Sequence, residues 1–103
     1  MENNTRNLIL GHINLRKKSN PVYSVELEKS YGVTGAEIRI IVQEARRKGI
    51  PIANDNGYYL AATYEEFQPT IKDLESRALS MLNTIRLFKI RFGLETADQK
   101  SLF

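Results

Sequence analysis

Apolar residues at the start of the chain recur at helical spacing and predict a first helix over residues 5–17. The face expected to point inward carries Leu8, Ile9, His12 and Ile13, with Arg16 at its edge. Ser19-Asn20-Pro21 ends this helix, because proline disfavours helical geometry in the residue before it. A short second helix is predicted over 24–30, followed by a turn at Gly32. Its inward-facing residues are expected to be Val25, Leu27 and Tyr31.

The third predicted helix has the clearest start and stop signals. Thr34 and Glu37 are spaced as a capping box, in which each side chain bonds the other residue's backbone amide. The apolar stripe that follows comprises Ile38, Ile41, Val42 and Ala45. Arg46-Arg47-Lys48 occupies the last turn, where cations favour the negative end of the helix dipole, and Gly49 closes the helix. Two helices joined by a tight turn containing glycine indicate a helix-turn-helix.

A β-hairpin is predicted directly after the third helix. Two short apolar segments, 50–53 and 58–61, flank the turn sequence Asn54-Asp55-Asn56-Gly57. Pro51 places the first strand at an edge, because proline cannot donate a ladder hydrogen bond. A hairpin in this position is a wing. The expected fold is therefore mainly α with a small β-hairpin: a winged helix-turn-helix over residues 1–62, followed by a long helix.

The long C-terminal helix is predicted from Thr63, with Thr63 and Glu66 forming a second capping box, to about Phe92. Apolar residues alternate spacings of four and three from Phe67 to Phe92, a heptad seam of about four repeats. Because this pattern is typical of helices that pair along their length, residues 63–92 are expected to form a homodimer. The residues expected to pair are Ile71, Leu74, Ala78, Met81, Ile85 and Phe88. Residues 93–103 are interpreted as a linker and tail.

Charge and composition narrow the classes of function. Residues 1–50 hold nine Lys/Arg against five Asp/Glu, whereas residues 51–103 hold six against seven, so the first half carries the positive potential. The chain has no cysteine, which excludes disulfides and thiolate metal sites. No apolar run is long enough to span a bilayer and the start does not resemble a signal peptide, so no membrane contact and a cytoplasmic location are expected.

Three segments together resemble a known family of DNA-binding proteins. They are the runs Gly32-Val-Thr-Gly-Ala-Glu-Ile-Arg-Ile-Ile-Val, Arg46-Arg-Lys-Gly-Ile-Pro-Ile and Gly57-Tyr-Tyr-Leu-Ala. Their order is similar to that in small winged-helix proteins of bacteriophages and mobile elements, and in the DNA-binding domain of the biotin-repressor type. The resemblance covers residues 5–62 and implies a helix in the major groove with a wing over the backbone or minor groove.

That geometry assigns expected contacts with double-stranded DNA. Arg39 and Gln43, one turn apart, have the groups to read guanine and adenine edges. Thr34 and the basic residues at two helix ends are suited to phosphates, and the two wing asparagines to the backbone. The full set of expected DNA contacts is Thr34, Ala36, Arg39, Ile40, Gln43, Arg47, Lys48, Arg16, Lys17, Lys18, Asn54 and Asn56.

Each of these residues also has a plain structural interpretation. Residues 46–48 complement a helix dipole on a solvated surface. Asn54 and Asn56 are the residue types that a tight turn needs for positive φ. Tyr58 and Tyr59 are interpreted as packing residues rather than base-stacking ones. Only the combination of helix-turn-helix, wing and basic first half favours DNA.

The C-terminal pentapeptide Gln99-Lys100-Ser101-Leu102-Phe103 resembles the peptide by which bacterial polymerases, mismatch-repair proteins and initiator regulators bind the replicative sliding clamp. That motif has Gln, a variable position, Ser or Asp, Leu and Phe, and Lys100 departs from it only at the variable position. The resemblance implies clamp contacts by Gln99, Ser101, Leu102 and Phe103. The alternative is that Leu102 and Phe103 pack back onto the rest of the protein.

Catalytic chemistry is not indicated. His12 is the only histidine, and it falls at the helical spacing of the apolar residues in the first helix. We therefore expect a hydrogen-bonded histidine in the core or at its boundary. No nucleophile–base set, phosphate loop, metal cluster or cofactor motif is found, and no enzyme activity is expected. Three hypotheses remain: a phage- or plasmid-type replication factor tethered to the clamp, a transcriptional repressor whose tail only packs, and a clamp inhibitor that does not bind DNA.

Overall fold

The structure, a computed structural model, describes residues 3–94. Its elements are α1 (Asn3–Asn14), α2 (Ser24–Tyr31), α3 (Gly35–Arg47), β1 (Ile52–Asn54), β2 (Tyr58–Leu60) and α4 (Tyr64–Arg91). The predicted fold class, mainly α with a two-stranded hairpin and a long final helix, is confirmed. The chain divides into two compact units between Thr70 and Ile71, inside α4. Among the described helices, none has the length and apolar character needed to cross a membrane.

The core of the first unit is formed by one apolar stripe from each of the first three helices, closed by the hairpin. All four stripe residues predicted for α3 are buried. Leu27 and the two isoleucines Ile9 and Ile13 are completely buried against them. The buried cluster is Ile9, Ile13, Val22, Leu27, Ile38, Ile41, Val42, Ala45, Ile52 and Tyr58. Helix spacing in the sequence is therefore sufficient to locate most of this core.

The hairpin is covered on both of its faces, which explains why two successive tyrosines are buried. Successive side chains of a strand point to opposite faces, so Tyr58 joins the helical core whereas Tyr59 points away from it. Tyr59 and its cross-strand partner Ala53 form a second buried cluster, against which Phe67 of α4 packs. The interpretation of both tyrosines as packing residues is confirmed. The seam predicted from Phe67 onward is correspondingly shorter, because Phe67 belongs to the hairpin.

A third extended segment pairs with the hairpin, and the sequence pattern did not predict it. Val22, between α1 and α2, forms an antiparallel bridge with Tyr58. The Val22 amide donates to the Tyr58 carbonyl at 2.9 Å, and the Tyr58 amide donates back at 2.7 Å. A single residue after a proline is too short to show strand periodicity. The wing is therefore fixed to the loop between the first two helices.

The two ends of α3 have the capping chemistry that the sequence predicts. The Glu37 amide donates to the Thr34 hydroxyl at 3.1 Å, and the Thr34 amide donates to the Glu37 carboxylate at 3.2 Å. At the other end Gly49 adopts a left-handed φ of 85°, and the Ile50 amide donates to the Ala45 carbonyl. This is a Schellman motif, which sets the direction in which the chain leaves for β1.

Several local predictions are wrong. The first helix ends at Asn14 rather than near residue 17, since the Arg16 carbonyl accepts from the Leu60 amide and that segment pairs with β2. Leu8 and Val25 were expected to face inward, but each has more than half of its surface exposed. The reason is that α1 buries only Ile9 and Ile13, and α2 only Leu27, so the neighbouring apolar positions stay in solvent. The first strand begins at Ile52 rather than residue 50, because the Ile50 amide is still bonded to α3.

Candidate nucleic-acid interface

The outward face of α3 presents every residue that the sequence assigns to DNA from this helix. The buried stripe fixes the rotation of the helix, and the residues on the opposite side are left in solvent. The exposed set is Ala36, Arg39, Ile40, Gln43, Arg47 and Lys48. Arg39 and Gln43 are one turn apart, so their side chains lie side by side on the surface. The face combines cations, an amide and an exposed isoleucine.

One edge of this face is basic and lies beside the wing. The Arg46 Nε–H donates to the Ile52 carbonyl at 2.9 Å, which ties the end of α3 to the first strand. Burial raises the pKa of the Tyr58 phenol, while the positive charges of Arg46 and Arg39 oppose that rise. Both arginines are therefore close enough to the hairpin to act on it. Arg46, part of the predicted basic cluster, has a structural function.

The opposite edge of α3 contains its acidic residues. Glu44 forms an ion pair with Arg6 of α1 at 2.9 Å, with both side chains about one-third exposed. Glu37 is engaged by the Thr34 hydroxyl and amide in the capping box. Thr34 is exposed, although its hydroxyl is committed to that box. The carboxylates are thereby kept to one side, and the outward face carries no acidic residue of α3.

The three basic residues after α1 differ in their exposure to solvent. Lys17 and Lys18 are exposed in the turn. Arg16 is half-buried, and its guanidinium donates to His12 Nε2 at 3.2 Å. Because arginine has only donors, the histidine proton is on Nδ1, which donates to the Tyr31 hydroxyl 2.9 Å away. The prediction of a satisfied boundary histidine is confirmed, and Arg16 is partly committed to supporting it.

The tip of the wing is exposed, and its asparagines shape the turn. The Asn54 side-chain oxygen accepts from the Gly57 amide at 3.2 Å. Asn56 has a φ of 56°, the left-handed conformation that asparagine tolerates better than most residues. Asp55 lies exposed between them. The structural interpretation of the two asparagines is supported, while their side chains remain accessible from solvent.

Two residues at the start of α2 are exposed although the sequence pattern did not predict it. Tyr23, at the N-cap of α2, and Val25 are both about half exposed. The start of α2 therefore presents an aromatic and an aliphatic side chain to solvent. The apolar character of Val25 favoured an inward position in the sequence, so periodicity alone gave no signal for this surface.

The second unit presents the apolar face predicted for pairing. No residue of α4 is buried. Met81 and Phe88 each have more than 60% of their surface exposed, and Ile85 has nearly half. Leu74 and Ala78 are also exposed, whereas Ile71 is half-buried. Exposed apolar faces of this kind are typical of interaction surfaces.

No family model, curated protein or solved structure matches the chain. Its function is therefore inferred from its residues and their placement. The predicted clamp-binding residues Gln99, Ser101, Leu102 and Phe103 lie outside the described residues.

Proposed function

We propose that this chain is a non-enzymatic protein that binds double-stranded DNA and acts in, or regulates, DNA replication. In this proposal α3 enters the major groove, the wing lies over the backbone, and the C-terminal tail tethers the protein to the replicative sliding clamp of a bacterial host. Two copies pair through α4. The protein is of phage or plasmid type, as the sequence resemblance implies.

The observation that carries the DNA-binding proposal is the placement of the α3 side chains. Six residues predicted to contact DNA are all exposed, while the apolar stripe on the other side of the helix is buried in the core. Arg39 and Gln43 supply bidentate donors and acceptors for base edges, and the exposed Ile40 supplies an apolar contact of the kind that a thymine methyl group accepts. Lys48 and the two lysines after α1 supply phosphate contacts.

Removal of the α3 arginines tests this proposal. We expect Arg39→Ala and Arg47→Ala each to weaken binding to duplex DNA about 10- to 100-fold, because each removes a charged contact in the groove. Affinity is measured by fluorescence anisotropy on a duplex of about 30 base pairs, nearly three helical turns, selected from a random-sequence pool by binding to the wild-type protein. Wild-type affinity should fall steeply with salt, since phosphate contacts release counterions.

The matched control is Lys72→Ala, which removes one exposed positive charge from α4. This variant should bind DNA as the wild type does. Circular dichroism checks that every variant keeps its helix content. Equal affinities for the wild type and the two arginine variants, with the fold intact, would contradict the proposal.

The tether to the clamp is tested separately. We expect the full chain to bind a purified bacterial sliding clamp in calorimetry, and a variant lacking residues 99–103 to show no binding. DNA affinity should be the same for both proteins. If neither protein binds the clamp while both bind DNA, the tether is wrong and a transcriptional repressor of the same fold remains. Clamp binding without DNA binding would instead identify a clamp inhibitor.

A further inference from the structure

The exposed face of α4 has features that specify the direction in which a second copy would pair with it. Its charged residues are segregated along the helix. Residues 64–75 contain four acidic side chains and one basic, whereas residues 76–91 contain four basic side chains and no acidic one. The helix is therefore negative in its first part and positive in its second.

We propose that two copies of the chain pair through α4 in antiparallel order, an inference that rests on the pairing in the proposed function. Antiparallel order brings the acidic part of each helix against the basic part of the other. Parallel order brings acidic against acidic and basic against basic, which the repulsion between like charges disfavours.

The sizes of the apolar residues support the same direction. In a parallel, in-register pair each seam residue meets its own copy, so Ala78 would face Ala78 and leave a gap, while Phe88 would face Phe88. In an antiparallel pair centred between residues 79 and 80, Ala78 packs against the partner's Met81 and Ile71 against the partner's Phe88. Small residues then face large ones, as close packing requires.

The positions that flank the seam agree with this register. Along one flank of the seam, Glu75 has the partner's Leu82 as its neighbour across the pair. Along the other flank, Arg77 has the partner's Thr84. Neither flank brings two like charges together. Arg77 already has its own ion pair with Asp73 at 2.7 Å, one turn earlier on the same helix.

Disulfide trapping tests the direction, because the chain contains no cysteine of its own. Ala78 and Met81 are exposed, so Ala78→Cys and Met81→Cys should leave the first unit unchanged. The two full-length variants are given different affinity tags, mixed and oxidised. Antiparallel pairing predicts that the mixed Ala78→Cys/Met81→Cys dimer cross-links at least tenfold more than either variant alone. Only that pairing brings the two sulfurs within the distance that a disulfide spans.

The other outcomes separate this inference from the proposal on which it rests. Efficient cross-linking of Ala78→Cys with itself would show parallel pairing and overturn the inference while leaving the dimer. Cross-linking of Ala78→Cys with Phe88→Cys, rather than with Met81→Cys, would overturn the register. A monomer by light scattering at tens of micromolar, with no cross-link in any mixture, would overturn the pairing itself. DNA binding by such a monomer would leave the rest of the proposed function intact.

Discussion

Ile38→Ala is expected to destabilise the protein by about 2–5 kcal/mol, a large part of the stability of a small domain. Ile38 is completely buried near the start of α3, where it belongs to the core formed with the other helices. Its truncation removes apolar contacts and leaves a cavity that the neighbouring helices cannot fill without moving. Urea unfolding followed by circular dichroism measures the change.

Ile40→Ala is the matched control, since it makes the same substitution two residues along the same helix. Ile40 is 52% exposed, so we expect its free energy of unfolding to stay within about 0.5 kcal/mol of the wild type. The gain in helix propensity is the same at both positions and cancels in the comparison. Similar losses at the two positions would show that α3 is rotated differently, and that its outward face is not the one described.

Gly57→Ala is expected to cost about 2–4 kcal/mol, because two penalties add at this position. Gly57 has a φ of 144°, which side-chain-bearing residues rarely adopt. A Cβ there would lie 2.9 Å from the Pro21 Cβ, closer than packed carbon atoms approach. The wing must then move away from the segment that holds it. Thermal unfolding of the purified variant measures the loss.

Gly49→Ala separates the two penalties. Gly49 also has a positive φ, 85°, but an added Cβ would meet no atom within 4 Å. This variant should therefore lose only the backbone term, about 1–2 kcal/mol. In a background with Pro21→Gly, which removes the Pro21 Cβ and Cγ and leaves the Val22 carbonyl oxygen 3.3 Å away, the cost of Gly57→Ala should fall. Equal costs at the two glycines in the native background would refute the close contact with Pro21.

The sequence was most informative where local chemistry and periodicity agree. The capping box at Thr34, the stripe beginning at Ile38 and the closing glycine together determined the limits and the rotation of α3. The outward face follows from that rotation, so the exposure of Arg39 and Gln43 was predictable. The turn residues from Asn54 to Gly57 located the hairpin for the same reason, because only a few residue types accept its backbone conformation.

What could not be predicted depends on contacts between distant segments. Nothing near Arg16 in the sequence shows that its carbonyl will bond β2 and end α1 early. Arg46 lies in a run of three cations, and only the fold shows that it holds the first strand while Arg47 is exposed. Phe67 fits the heptad spacing of α4, yet it packs on the hairpin, because a periodic pattern does not state which partner covers it.

The bridge between Val22 and Tyr58 makes the wing part of the same cooperative unit as the helices. Val22 precedes α2 and α3 in the chain, and its strand partner Tyr58 follows both of them. The bridge can therefore form only after both helices have been synthesised. Because the wing pairs with Val22, it cannot be replaced independently of the helical part of the protein. A hairpin grafted from another sequence would have to reproduce the glycine beside Pro21 and the pairing with Val22, as well as its own turn.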